Sequence, residues 1–155
     1  MTHGPPIRAA RVGTSGAREQ LAGAVLEATD PGGPAADCNA GFSRPERPLL
    51  VVFVTDEEDS FETDGSSGGP KGWHAKLLQH RSGPVMVLGL ISDLDLPDPA
   101  CSDADPFNPG GAYPSPRLRA FVELFGEQGR TSSVCEPDYA PAFEGIAELL
   151  SLTCG

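Results

Sequence analysis

The run Leu49–Ser60, LLVVFVTDEEDS, limits the fold more than any other segment. Six apolar residues, rich in β-branched types, pass without a polar break into Thr55-Asp56-Glu57-Glu58-Asp59-Ser60. An apolar run with no alternation reads as a strand covered on both faces, the condition of parallel strands in α/β sheets, and such folds bind ligands at the carboxyl ends of their strands. The carboxylates Asp56, Glu57, Glu58 and Asp59 crowd that end and repel one another unless they are solvated or hold a cation. That strand end is therefore the first candidate for a functional site.

The rest of the chain supplies what such a strand needs. Pro84–Ile91 is a second uninterrupted apolar run and reads as another buried strand, and Thr131–Cys135 is short and β-prone. Leu21, Ala24, Val25 and Ala28 repeat at helical spacing behind the capping residues Thr14 and Ser15, and that helix ends near Thr29. A short helix is expected near Trp73–His80. Ser115 is an N-cap followed by Pro116, with Leu118, Phe121, Val122 and Phe125 on one face and a stop near Gly126–Gly129. Asp138 caps a last helix with the stripe Tyr139, Phe143, Ile146, Ala147 and Leu150. This order of helices and strands predicts an α/β fold of three layers, a mostly parallel sheet with helices on both faces joined by right-handed crossovers.

With 155 residues the chain is sized for one domain. Its 22 acidic against 11 basic residues give a formal charge of −11, which repels a phosphate backbone or an anionic membrane surface and argues against nucleic-acid binding. No stretch is long and apolar enough to span a membrane, and the first residues, MTHGPPIRAARVG, carry no apolar signal core. Glycine and proline gather at 30–34, 65–72, 97–116 and the first residues, which read as loops. The cysteines Cys38, Cys101, Cys135 and Cys154 lie far apart, with no C-x-x-C pair to suggest zinc or a redox motif.

Several segments together resemble the von Willebrand factor type A domain, in the form found in secreted bacterial proteins and lipoproteins. They are Gly13-Thr14 opening a helix, Asn39-Ala40-Gly41-Phe42-Ser43-Arg44 before a hydrophobic strand, the strand ending Val54–Ser60, and the tail Arg117–Leu150 with Ser133-Val134-Cys135-Glu136 between its helices. The resemblance covers residues 13–155 as the later part of that domain, after a disordered segment 1–12. It implies a non-catalytic protein-binding or adhesion module, extracellular or in the cell envelope. It also implies a metal-ion-dependent adhesion site in which Thr14 and Asp56 ligate Mg²⁺, Mn²⁺ or Ca²⁺ and Glu57, Glu58 and Asp59 form the rim. Hydroxyl, carboxylate and water oxygens suit those ions. The family's D-x-S-x-S loop is absent and its usual glycine after the aspartate is Glu57, so cation binding by this chain alone should be weak or absent.

Other chemistries find less support. The sequence has no G-x-S-x-G elbow, Walker loop or dinucleotide G-x-G-x-x-G. The enzymatic alternative is an Mg²⁺-dependent hydrolase or phosphotransferase with Asp56 as nucleophile, and the bland one a structural fragment without ligand. Asp93, Asp95, Asp98, Asp103 and Asp105 alternate as in a calcium loop, but an EF-hand starting at Asp93 needs glycine at Asp98 and glutamate at Ala104, so a solvated loop is expected. His3, His74 and His80 have no ligand spacing.

The topology carries two further expectations. In an oxidising compartment, Cys101 pairs with Cys135 at the carboxyl edge and Cys38 with Cys154 at the amino edge. If the strands are the last three of the order 3-2-1-4-5-6, the chain is a truncated domain whose strand Leu49–Val54 lies at an open sheet edge, prone to aggregate or dimerise.

Overall fold

The computed structural model describes residues 20–42, 44–59, 65–102 and 112–154. In chain order they form α1 (Leu21–Thr29), β1 (Leu49–Val54), α2 (Pro70–Gln79), β2 (Val85–Ile91), α3 (Pro116–Glu123), a 3₁₀ turn (Gly126–Gln128), β3 (Gly129–Ser133) and α4 (Ala140–Cys154). Among the described residues the strands make one parallel sheet in the order β1-β2-β3. The expected α/β class and the alternation of helix and strand are thus observed. The readings placed on residues 1–12, Gly13, Thr14, Ser15, Asp103 and Asp105 lie outside the described residues.

Strand order explains the layers. The strands step one way across the sheet, and right-handed crossovers then put both connecting helices on the same face. Trp73 and Leu77 of α2 and Phe121 and Val122 of α3 pack there with Val51, Phe53, Val85 and Val87, joined by Ala22 and Leu26 of α1. Phe121 centres this core, meeting the rings of Phe53, Trp73 and Phe125 edge-on at 5.8, 5.9 and 5.3 Å. On the opposite face α4 sets Ile146 against Met86, Leu88 and Leu90.

Only half of the two-faced burial expected of the apolar runs is realised. β2 is buried at every position, whereas in β1 Val52 is 38% and Val54 56% exposed. The cause is the placement of α4, which lies mainly over β2 and β3 and leaves part of β1 uncovered.

The helical stripes also need correction. In α1 the buried residues are Ala22 and Leu26, with the expected Leu21 and Val25 packed beside them, while Ala24 is exposed. A segment as uniformly apolar as LAGAVLEA does not select its own inward face. In α4 the expected Ile146 is buried and the expected Tyr139 and Leu150 pack with it, but Ala142 and Leu149, four before and three after it, complete the stripe, so Phe143 and Ala147 rotate out to solvent. β3 starts at Gly129, two residues before the expected Thr131, where pairing with Val87 begins, and a Cβ at Gly129 would lie 2.2 Å from the Val122 carbonyl oxygen. Glycine alone lets α3 approach the strand that closely.

Cys101 and Cys135 form a disulfide with Cα atoms 5.0 Å apart, as expected, tying the segments that follow β2 and β3. Closing a 34-residue separation contributes about 3–4 kcal/mol in the chain-entropy picture. The second expected pair is not formed, since Cys38 is a free, exposed thiol. Its loop is bound to the end of α1, where Asn39 Nδ2 donates to the Ala28 carbonyl, and α1 and α4 cover opposite faces of the sheet.

Candidate functional site

The carboxyl edge of β1 is built by Thr55. Its amide extends the ladder to the Leu90 carbonyl at 3.0 Å, and its hydroxyl accepts from the Glu57 amide at 3.0 Å and donates to the Glu57 carbonyl at 3.1 Å. This tight turn throws Asp56 and Glu57 outward, and both are exposed. The Asp56 carbonyl is held by the Tyr113 amide at 2.7 Å, so its backbone is fixed while its carboxylate has no hydrogen-bond partner among the described residues.

The next two acids turn inward. Glu58 Oε2 accepts the Arg117 amide at 2.7 Å, and Oε1 accepts the amides of Leu118 at 3.3 Å and Asp59 at 2.9 Å. Glu58 therefore caps α3 from a distant strand, where its charge also meets the positive end of the helix. Ser115, the expected cap, occupies the N-cap position but turns its hydroxyl to the Tyr113 carbonyl instead. Burial pushes the Glu58 carboxyl above its ordinary value of 4.5, against the three amides and the Arg117 charge that favour ionisation.

Asp59, expected on the rim, is 0% exposed. Its Oδ2 accepts the Ala22 amide at 2.9 Å and the Ser66 hydroxyl at 2.6 Å, and Oδ1 accepts the Ser66 amide at 2.8 Å. Ser66 Oγ in turn accepts the Gly23 amide at 2.6 Å. Asp59 and Ser66 thus satisfy the first free amides of α1, whose local N-cap Gln20 makes no side-chain cap bond. Arg117 closes the network, donating to the carbonyls of Asp59 and Gly68 at 2.7 and 2.9 Å, with its guanidinium 4.7 Å from the Trp73 ring centre.

The end of β2 repeats the inward pattern. Asp93 Oδ2 and Oδ1 accept the amides of Ala100 and Cys101 at 2.7 and 3.0 Å. Burial raises its carboxyl, but these amides and the Ser133 hydroxyl outweigh it and hold Asp93 below its ordinary value of 3.8. Asp95 is paired to Arg119 of α3 through two contacts of 2.7 and 3.0 Å, and Arg119 also donates to the Ser92 carbonyl. Asp93 therefore holds its own loop, Asp95 ties that loop to α3, and Asp98 is exposed. Away from this edge His74 packs edge-on against Phe125 at 4.8 Å and His80 is exposed.

The edge thus divides into exposed carboxylates, Asp56 and Glu57, and others committed to backbone amides, the half-buried Glu58 and the buried Asp59 and Asp93. Among the described residues no group of three His, Cys, Asp or Glu side chains could hold a metal ion. The two exposed carboxylates, Asp56 and Glu57, fall short of the six or more oxygens that Mg²⁺ or Ca²⁺ gathers, so these residues do not by themselves fit the cation. Sequence reasoning missed Ser66 and Arg117, which sit in a glycine-serine loop and at the start of a helix. No local signal marks them, since Ser66 lies 7 and Arg117 58 residues from Asp59.

No family model, curated protein or solved structure matches the chain.

Proposed function

We propose that this chain is a non-catalytic protein-binding module similar to von Willebrand type A domains, presenting the carboxyl edge of its sheet to a protein partner, with an incomplete cation site at Asp56. The observation that supports the reading is the division among the carboxylates. Asp56 and Glu57 are exposed on a rigid strand end, while the acids that could serve beside them in proton transfer are bound to amides. A general acid or base must exchange its proton at each turnover, and doing so at Glu58 or Asp59 would release a helix start. Recognition asks only for exposed groups on a fixed scaffold. The Cys101–Cys135 disulfide suits an oxidising compartment, outside the cell or in its envelope.

Two measurements test the reading. Calorimetric titration with Mg²⁺, Mn²⁺ and Ca²⁺ should give weak or undetectable heats, and micromolar binding abolished by Asp56→Ala would show that the cation site is complete. Assay against a panel of phosphoesters with Mg²⁺ should give no turnover. Turnover lost in Asp56→Asn would replace the binding module with a hydrolase.

A further inference from the structure

Among the described residues no strand pairs with the far edge of β1, and that edge has the geometry of a self-complementary strand. The Leu49 amide donates to the Pro84 carbonyl and the Thr55 amide to the Leu90 carbonyl, both at 3.0 Å. Alternation then turns the main-chain groups of Leu49, Val51, Phe53 and Thr55 toward β2, and those of Leu50, Val52 and Val54 away from the sheet. None of the devices that protect natural sheet edges, an outward lysine, a proline or a bulge, interrupts LLVVFV. The residues with outward main-chain groups also carry the side chains that α4 leaves uncovered, Val52 and Val54 among them.

We propose that this edge pairs with the same edge of a second copy, antiparallel about a two-fold axis through Val52. In that register Val52 faces Val52 of the second copy and Leu50 faces its Val54, and each facing pair uses outward groups only, exchanging both hydrogen bonds. The same register sets Val against Val and Leu against Val on the uncovered face, the apolar cross-strand contacts that stabilise sheets. Charge selects the direction. The amino flank of β1 carries Arg44 and Arg47 against Glu46 alone, and the carboxyl flank carries Asp56 and Glu57, all exposed. Antiparallel pairing lays the basic flank of one copy beside the acidic flank of the other, whereas parallel pairing lays like beside like. The product is one sheet continuous across two chains, with a two-fold interface that closes. The strand pairing itself stands on main-chain geometry and does not need a partner at Asp56.

Sedimentation equilibrium of the whole chain tests it. A concentration-dependent monomer–dimer equilibrium is expected, shifted to monomer by Val52→Lys and by Val54→Lys with an unchanged far-ultraviolet circular dichroism spectrum. A cysteine scan reads the register even if a lysine variant fails to fold. In a Cys38→Ser, Cys154→Ser background, Val52→Cys should form a disulfide dimer on mild oxidation and Leu50→Cys should not, while Leu50→Cys mixed with Val54→Cys should cross-link. A monomer at every concentration, dimers that survive both lysines in folded protein, oligomers that grow beyond two, or cross-linking of Leu50→Cys to itself would each overturn the proposal.

Discussion

β1 and β2 are nearly interchangeable as sequences, LLVVFV and VMVLGLI, yet they live in different surroundings. β2 is central, buried at every position, and ends in Ser92-Asp93, both buried and bonded inward. Among the described residues β1 is an edge strand with one face partly open, and it leads into an aspartate that projects into solvent. Composition says that a strand is apolar. Neighbours decide whether it is core or surface, and whether the acid after it holds the fold together or stays free.

The largest expected effect breaks this comparison at the strands. Leu88, fully buried between α4 and its sheet neighbours, should cost about 2–5 kcal/mol when replaced by alanine, through lost burial and the cavity left behind. Val52, its register partner on β1, is already partly in water, so Val52→Ala should cost under about 1 kcal/mol. Urea unfolding measured below the concentration at which copies associate compares the two directly. Equal costs would mean that β1 is covered in solution by something other than a second copy.

The next effects compare carboxylates. Asp59→Asn replaces one acceptor oxygen by a donor that faces an amide or the Ser66 hydroxyl, and should cost about 2–3 kcal/mol. Asp93→Asn should cost about 1–2 kcal/mol, because the disulfide still holds the same segment. The pKa values of two carboxyls at this edge are displaced in opposite directions. Asp93, held below 3.8, contributes stability that is present above pH 3.8 and lost as pH falls through its lower folded value, so Asp93→Asn should flatten the acid limb below pH 3.8. Glu58, held above 4.5, contributes stability present below pH 4.5 and lost as pH rises through its higher folded value. Glu58→Gln should therefore remove a slope just above pH 4.5. Denaturation midpoints across pH 2–7 would show both, and an acid limb unaltered by Asp93→Asn would deny Asp93 that role.

What the sequence made legible follows the range of each signal. Uninterrupted apolar runs and helical spacing are local, so β1, β2 and the order of elements could be read directly, and Asp138 caps α4 as its place predicts, accepting the Ala140 amide at 2.9 Å. The pairing of Cys101 with Cys135 followed from topology because both stand just after neighbouring strands. The caps of α1 and α3 were misread because their acceptors, Asp59 and Glu58, lie 37 and 59 residues away from the amides they serve. The expectation of Cys38 bonded to Cys154 assumed one common edge, and the sheet separates α1 from α4. Asp56, Glu57, Glu58 and Asp59 look alike as letters, and only the turn made by Thr55 sorts them into free and committed.

The smallest expected effect is the sharpest test of that sorting. Asp56→Asn removes a charge that bonds to nothing among the described residues and leaves its backbone carbonyl, which Tyr113 holds, in place. Stability should change by no more than about 0.5 kcal/mol, as for ordinary surface substitutions. It should rise slightly if it changes at all, because Glu57 and Glu58 beside it add to the local repulsion. A loss of more than about 1 kcal/mol would show that Asp56 belongs with Asp59 and Asp93 as a structural ligand. The exposed acid that supports the proposed binding role would then no longer be free for a partner.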